Sequence, residues 1–226
     1  MEHNPKLVSS EVAALWGAYM QNSMAYCIVQ HFDNINEDAD STVLFQTALT
    51  NCNYVVKEVK QIFEKENHAI PIGFTQEDVN LNVGRVYSDL LALRYIKYMA
   101  AAGTAAAAAL LEVLARKDVR ELFSTTSEMF MKLYNNACDL LLKKGAFIRS
   151  PTIAPMEKAE YLHSESFLSG LIGKHRPLTA IELAHISKNT ETNSIGRTFV
   201  AGFSQTAKSP EVRKYMERGT EIAAKQ

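Results

Sequence analysis

The hydrophobic pattern is helical almost from end to end. Ser9 and Ser10 suit an N-cap, Glu11 sits in the first turn, and Val12, Leu15, Trp16, Tyr19, Ser23, Tyr26 and Cys27 recur at intervals of three and four. That spacing predicts a first helix to about Phe32, with Trp16 buried on its stripe. A second helix is expected from about Ser41 to Asn67 on Leu44, Phe45, Ala48, Cys52, Val55, Val59, Ile62 and Phe63. Pro71 and Gly73 break the pattern, and Thr75–Asp78 reads as a short helical turn. A third helix is predicted from about Val86 to Ala115, with Val86, Leu90, Leu93, Ile96, Ala100, Gly103, Ala107, Leu110, Leu111 and Leu114 inward. Its alanine-rich centre, Ala100–Ala109, would let a neighbouring helix approach closely in the core. The fourth runs from near Lys117 to Lys143 on Val119, Leu122, Phe123, Phe130, Leu133, Ala137 and Leu141, with Gly145 as its stop.

No alternating run of β-branched residues interrupts this reading. The prediction is an all-α chain whose residues 1–148 form an antiparallel four-helix bundle, each helix about 40–45 Å long. Residues 149–177 change character, with Pro151, Pro155 and an apolar segment, Phe167–Lys174. That segment is expected to dock a second unit on the bundle; a membrane surface or a partner is the sharper reading. Thr179 and Glu182 spell a capping box that opens a fifth helix to about Phe203, and Ser209-Pro210-Glu211 opens a sixth. Residues 178–226 therefore form a helical hairpin.

The hairpin repeats the start of the chain. A shift of 171 residues lays Leu7 on Leu178, Glu11 on Glu182, Asn22-Ser23 on Asn193-Ser194, Val29 on Val200 and Phe32 on Phe203. A partial second copy of the first unit explains a length of 226 residues, awkward for one domain or two.

Composition narrows the function classes. With 47% hydrophobic residues, 22% charged and a net charge of −1, the chain is globular and lacks the basic excess of a nucleic-acid binder. Lys174-His175-Arg176 is too short a basic cluster to alter that. The uncharged stretch Tyr98–Leu111 is shorter than a membrane span. The N-terminus has no secretory pattern, and Cys27, Cys52 and Cys138 follow no CxxC spacing. Together these predict a cytoplasmic protein with reduced thiols. Cys27 and Cys52 read as small core residues, too far out of level for a disulfide.

Several segments together resemble a known family: Leu15-Trp16 with Tyr19, Asn22-Ser23-Met24, FEKENHAIPIGFTQEDVN over 63–80, ARKDVR over 115–120 and GFSQTAKSPEVR over 202–213. It is a family of unknown function from endospore-forming bacilli, built of duplicated helical units and similar to spore coat protein F-like proteins and ferritin-like bundles. The resemblance covers essentially the whole chain. It implies a ferritin-like four-helix unit present twice and a link to the spore coat, and it supplies no catalytic residue. This chain departs from the full pattern by lacking the last two helices of the second unit.

A ferritin-like bundle prompts a search for a di-iron centre, which needs a Glu on each of two helices and Glu-x-x-His on each of the other two. The chain has one such motif, Glu182-x-x-His185. The matching place in the first unit is Glu11-x-x-Ala14, Glu64 and His68 lie at a helix end, and Glu128 has Met131 three residues on. Glu182 therefore reads as a capping carboxylate and His185 as a surface residue, with no cofactor expected. His3, His31, His68, His163 and His175 show no ligand spacing, and phosphate loops and hydrolase motifs are absent.

The polar residues near apolar stripes are Asn22, Ser23, Asn51, Asp89, Asn135 and Asn136. They read as an internal hydrogen-bonded network, or as the lining of a small-molecule cavity. The function expected is a structural or interaction protein, spore-coat or sporulation associated, with coat-protein partners and no enzymatic activity. A ferritin-like metal or oxidase protein and a small-ligand carrier are the alternatives. The hairpin carries more apolar surface than two helices cover alone. It predicts a homodimer sharing a C-terminal bundle, in preference to a six-helix monomer.

Overall fold

The computed structural model describes residues 5–156, 158, 161 and 177–225. Among these residues there are six α-helices and no strands: α1 Ser9–Asn34, α2 Ala39–Lys65, α3 Asp89–Leu110, α4 Lys117–Lys143, α5 Ala180–Thr206 and α6 Pro210–Ala223. Short 3-10 turns occupy Gln76–Asp78 and Leu111–Val113. The chain divides into two compact units, residues 1–147 and 148–226. The apolar segment 167–174, the basic cluster 174–176, His3 and His163 lie outside the described residues.

The helix ends follow local hydrogen-bond chemistry. Neither Ser9 nor Ser10 caps α1, because Val8 holds the cap position and both serines are inside the helix. Ser10 instead donates its hydroxyl to Val113 O at 3.0 Å. α3 starts three residues later than its apolar pattern suggests, since the Ser88 hydroxyl accepts the Leu91 N–H and sets the boundary there. It also stops early, tightening into the 3-10 turn before Leu114. Gly145, at φ +64°, closes α4: the Ala146 N–H reaches Leu141 O at 2.9 Å and the Gly145 N–H reaches Leu142 O at 3.0 Å. Asn67, at φ +54°, closes α2 in the same way, with the His68 N–H on Phe63 O.

In the first unit α1 packs along α2, α3 along α4, and α2 against α4, while α1 and α3 meet only sparsely. Leu15, Val29 and Phe32 of α1, Phe45, Val59 and Phe63 of α2, Ile96 of α3, and Leu133 and Leu141 of α4 are fully buried. Each such side chain contributes about 1.5–3 kcal/mol. Phe32 receives Tyr87 and Tyr95 edge-on, at ring separations of 5.8 and 5.4 Å. Lys143 pairs with Asp40 and Lys144 with Asp38, tying the end of α4 to the start of α2.

Two expectations about burial fail. Trp16 is 45% exposed; Ala14 and Leu15 turn inward in its place. The alanine-rich centre of α3 is mostly an outer face, with Ala100 and Ala107 buried and Ala101, Ala102, Ala105, Ala106, Ala108 and Ala109 exposed. Leu90 is likewise exposed and Leu91 buried. Both helices are apolar nearly all round in these stretches, so periodicity alone does not choose a face.

In the second unit α5 and α6 pack on one another. Asn193 donates to Ala223 O at 2.8 Å, and Gly219 lies against Val200. Ser209 caps α6 with Pro210 in its first turn.

Candidate functional site

The six polar residues do not form one network. Asn22, Ser23 and Asn51 are buried, but each has its own partner. Asn22 donates Nδ2 to Ala18 O at 2.8 Å, and Asn51 reaches Met129 O at 3.4 Å. Asp89 is at the partly exposed start of α3, where it pairs with Arg85 at 2.7 Å and accepts from the Glu37 N–H. Asn135 and Asn136 are on the exposed side of α4. The shared-network expectation is therefore corrected: Leu133 and Ala137 take the inward positions of that turn.

Ser23 belongs to a different device. The connection between α2 and α3 is held by one face of α1 through Ser23, Cys27, Gln30 and Asn34, spaced three and four apart. Ser23 Oγ accepts the Phe74 N–H at 3.1 Å, Cys27 Sγ donates to Thr75 O at 3.3 Å, Gln76 bonds Gln30 at 2.8 Å, and Asn34 donates to Leu81 O at 2.8 Å. Gly73 makes the close approach possible. Its φ is +65°, and a Cβ there would lie 2.6 Å from Tyr19 Cε1. Burial pushes the Cys27 thiol up and the Cys52 thiol to about 12, so both are protonated at neutral pH.

A second device was not apparent from the sequence. Glu11 and Arg116 are each only 1% exposed. Glu11 Oε1 accepts the backbone N–H groups of Ala115 and Arg116 at 3.0 and 2.7 Å, while Oε2 accepts that of Val8 at 3.0 Å. The Arg116 guanidinium pairs with Glu66 at 2.8 Å and takes Asp118 through Nε and Nη2 at 3.0 and 2.6 Å. Burial opposes the charge on Glu11, but the three N–H groups and Arg116 outweigh it and hold its carboxyl below the ordinary value. The node joins the start of α1, the end of α2 and the start of α4. Its signal in the sequence was Glu11 lying four residues before Leu15, on the same buried face.

Between α1 and α3 lies a cleft of about 390 Å³. Ala13, Gly17 and Ala18 form one wall, Gly103, Ala106 and Leu110 the other, and Phe123, Thr126 and Phe130 of α4 the floor. No charged side chain lines it; its polar residues are Ser10, Gln21, Asn22 and Thr126. Asp89–Val113 is long and apolar enough to cross a bilayer by length and composition, yet only 22% of its most apolar window is buried. The cleft wall is one part of that exposed apolar surface.

Glu182 accepts the Thr179 N–H at 2.8 Å and completes the capping box of α5, and His185 is exposed. No group of three or more His, Cys, Asp or Glu gathers as metal ligands among the described residues. The hairpin keeps little core of its own. Within α5 and α6 only Ile195 and Gly202 are buried.

The profile of DUF3231, described as a protein of unknown function, matches residues 1–159 and 166–226. No curated protein matches the chain. Solved structures of similar fold include a candidate spore coat protein of Bacillus halodurans C-125, at TM-score 0.61 and 18% identity over 67% of this chain and 98% of that one. A conserved hypothetical protein of Mycobacterium tuberculosis is similar at TM-score 0.52 and 19% identity, over 65% of this chain and 98% of that one.

Proposed function

The chain belongs to the DUF3231 family, and from that premise we propose that it is a non-enzymatic structural or interaction protein of the sporulating cell or its spore coat. We infer that it assembles as a homodimer through α5 and α6. The observation that carries the reading is the uncovered apolar surface of the hairpin: Ile181 is 70% and Tyr215 75% exposed, and Ile186, Phe203, Val212 and Ile222 are also exposed. Exposed apolar side chains on both helices of so small a unit favour an interaction surface.

The repeat indicates what would cover it. α5 starts 171 residues after α1, and α6 starts 171 residues after α2. The family profile also matches in two stretches. These observations favour the reading of a helical unit that begins twice in the chain. In the first unit, helices α3 and α4 cover the pair α1 and α2. In the second, the hairpin of another copy covers α5 and α6 in an isologous bundle. The likeness to a candidate spore coat protein supports the place of action.

Light scattering on the full chain tests the assembly. A dimer that Ile186→Glu or Ile222→Glu dissociates is the expected result; a monomer at high micromolar concentration overturns it. A fluorescent fusion expressed in a sporulating bacillus should collect around the forespore, and diffuse fluorescence counts against the coat assignment. Two stoichiometric iron or manganese ions per purified chain would overturn the non-enzymatic reading in favour of a ferritin-like metal protein.

A further inference from the structure

Gly17 lies in the middle of α1, where a glycine weakens a helix relative to alanine. Among the described residues no atom stands within 4 Å of where a Cβ on Gly17 would lie. Gly103 across the cleft differs, because its Cβ would press on Phe130 at 3.2 Å. The space over Gly17 is the cleft between α1 and α3.

The cleft also holds a hydrogen-bond acceptor that no protein group takes. Asn22 is 8% exposed and uses Nδ2 on Ala18 O, while its side-chain oxygen accepts no hydrogen bond. Thr126, on the floor, donates its hydroxyl to Leu122 O at 2.7 Å, which leaves its oxygen free to accept as well. Both oxygens are reached by water from the cleft and can take a donor from a ligand in its place. The volume falls within the range of small-molecule sites, and an apolar lining with a few fixed polar atoms is their usual chemistry.

We propose that this cleft binds a neutral, largely apolar small molecule carrying one hydroxyl or N–H donor, with the donor on the Asn22 side-chain oxygen and the body between Gly17 and the Phe123 and Phe130 rings. An anion is disfavoured because no cation lines the cleft to offset its desolvation, and a cation because no carboxylate does. Every residue that lines the site belongs to the first unit.

Titration calorimetry on the full chain at neutral pH tests this with three probes of one shape: 4-phenylphenol, biphenyl and 4-phenylbenzoate. The phenol should saturate one site per chain, biphenyl should bind about fivefold more weakly for want of the donor, and the benzoate should not bind. Gly17→Leu fills the space over α1 and should abolish binding while leaving the urea midpoint at or above that of the parent. Asn22→Ala should bring the phenol down to the affinity of biphenyl and leave biphenyl unchanged. No saturable binding of the phenol, parental affinity in Gly17→Leu, or equal affinity for phenol and benzoate would each overturn the proposal. A dimer that dissociates in Gly17→Leu and competes with the phenol would give the cleft to a second copy, and also overturns it.

Discussion

Glu11 supplies acceptors to a helix that begins more than a hundred residues further along the chain: its Oε1 takes the backbone N–H of Arg116 at 2.7 Å, across a sequence separation of 105. The same carboxylate holds Val8 and Ala115, so three N–H groups at two helix starts depend on one side chain. Glu11→Ala removes all three of these hydrogen bonds at a buried site. An unmet buried donor costs about 1–3 kcal/mol, and some water access follows truncation, so a loss of about 3 kcal/mol is expected in urea denaturation.

The pH dependence has a definite sign. The folded-state pKa of Glu11 lies below its ordinary 4.5, because the N–H groups and Arg116 outweigh the opposing effect of burial. Its contribution to stability is therefore complete above that ordinary value and is lost as pH falls through the lower folded value. Glu11→Gln should be less stable than the parent at neutral pH, with the gap narrowing below about pH 4.5. Denaturation of both proteins from pH 7 to pH 3 measures it, and a constant gap would contradict this account.

Arg116 uses the shape of its guanidinium. One edge takes Asp118 through two nitrogens and Nη1 takes Glu66, a fork that an ammonium does not reproduce. Arg116→Lys keeps the charge but leaves part of this buried arrangement unpaired. A loss of about 2 kcal/mol is expected in chemical denaturation, against almost none for the same change at exposed Arg120.

The helices were legible where one face is plainly apolar. α4 runs from Lys117 to Lys143 as its pattern predicts, because charged and apolar residues separate cleanly around it. α1 and α3 were harder to orient. From Val12 to Ala18 every residue is apolar or glycine, and small Ala14 is buried while large Trp16 is not. Size and hydrophobicity misled there, since a helix apolar all round gives periodicity no inward face to choose. The Glu11–Arg116 node escaped for another reason: its partners meet only through the tertiary fold, and Glu11, although on the Leu15 face, looks like an ordinary helix-end charge in a first turn.

Trp16 provides a direct check on that orientation. A tryptophan in the core would cost about 3–5 kcal/mol on truncation to alanine. At 45% exposure, Trp16→Ala should cost about 1 kcal/mol or less. As the sole tryptophan, Trp16 should also give the fluorescence of a water-contacting indole that iodide quenches in the native state. A large stability loss together with protection from iodide would place it in the core after all.

Two glycines with nearly the same backbone angle separate strain from collision. Gly73 has φ +65° and Gly145 has φ +64°, so an alanine at either carries the cost of the left-handed region, about 1 kcal/mol. At Gly145 the added methyl meets nothing within 4 Å. At Gly73 it would press on Tyr19 Cε1 at 2.6 Å and Ser23 Oγ at 3.0 Å, where Ser23 also receives the Phe74 N–H. Relief requires moving the Tyr19 ring or lifting the connection off α1, which strains the bonds at Ser23 and Cys27. Gly145→Ala should therefore lose about 1 kcal/mol, and Gly73→Ala about 2–3 kcal/mol. Amide hydrogen exchange should localise the second effect: Gly73→Ala speeds exchange at Phe74, whose N–H bonds Ser23, and leaves the end of α4 unchanged. Equal losses in the two variants would mean that the connection does not rest on α1 at Gly73.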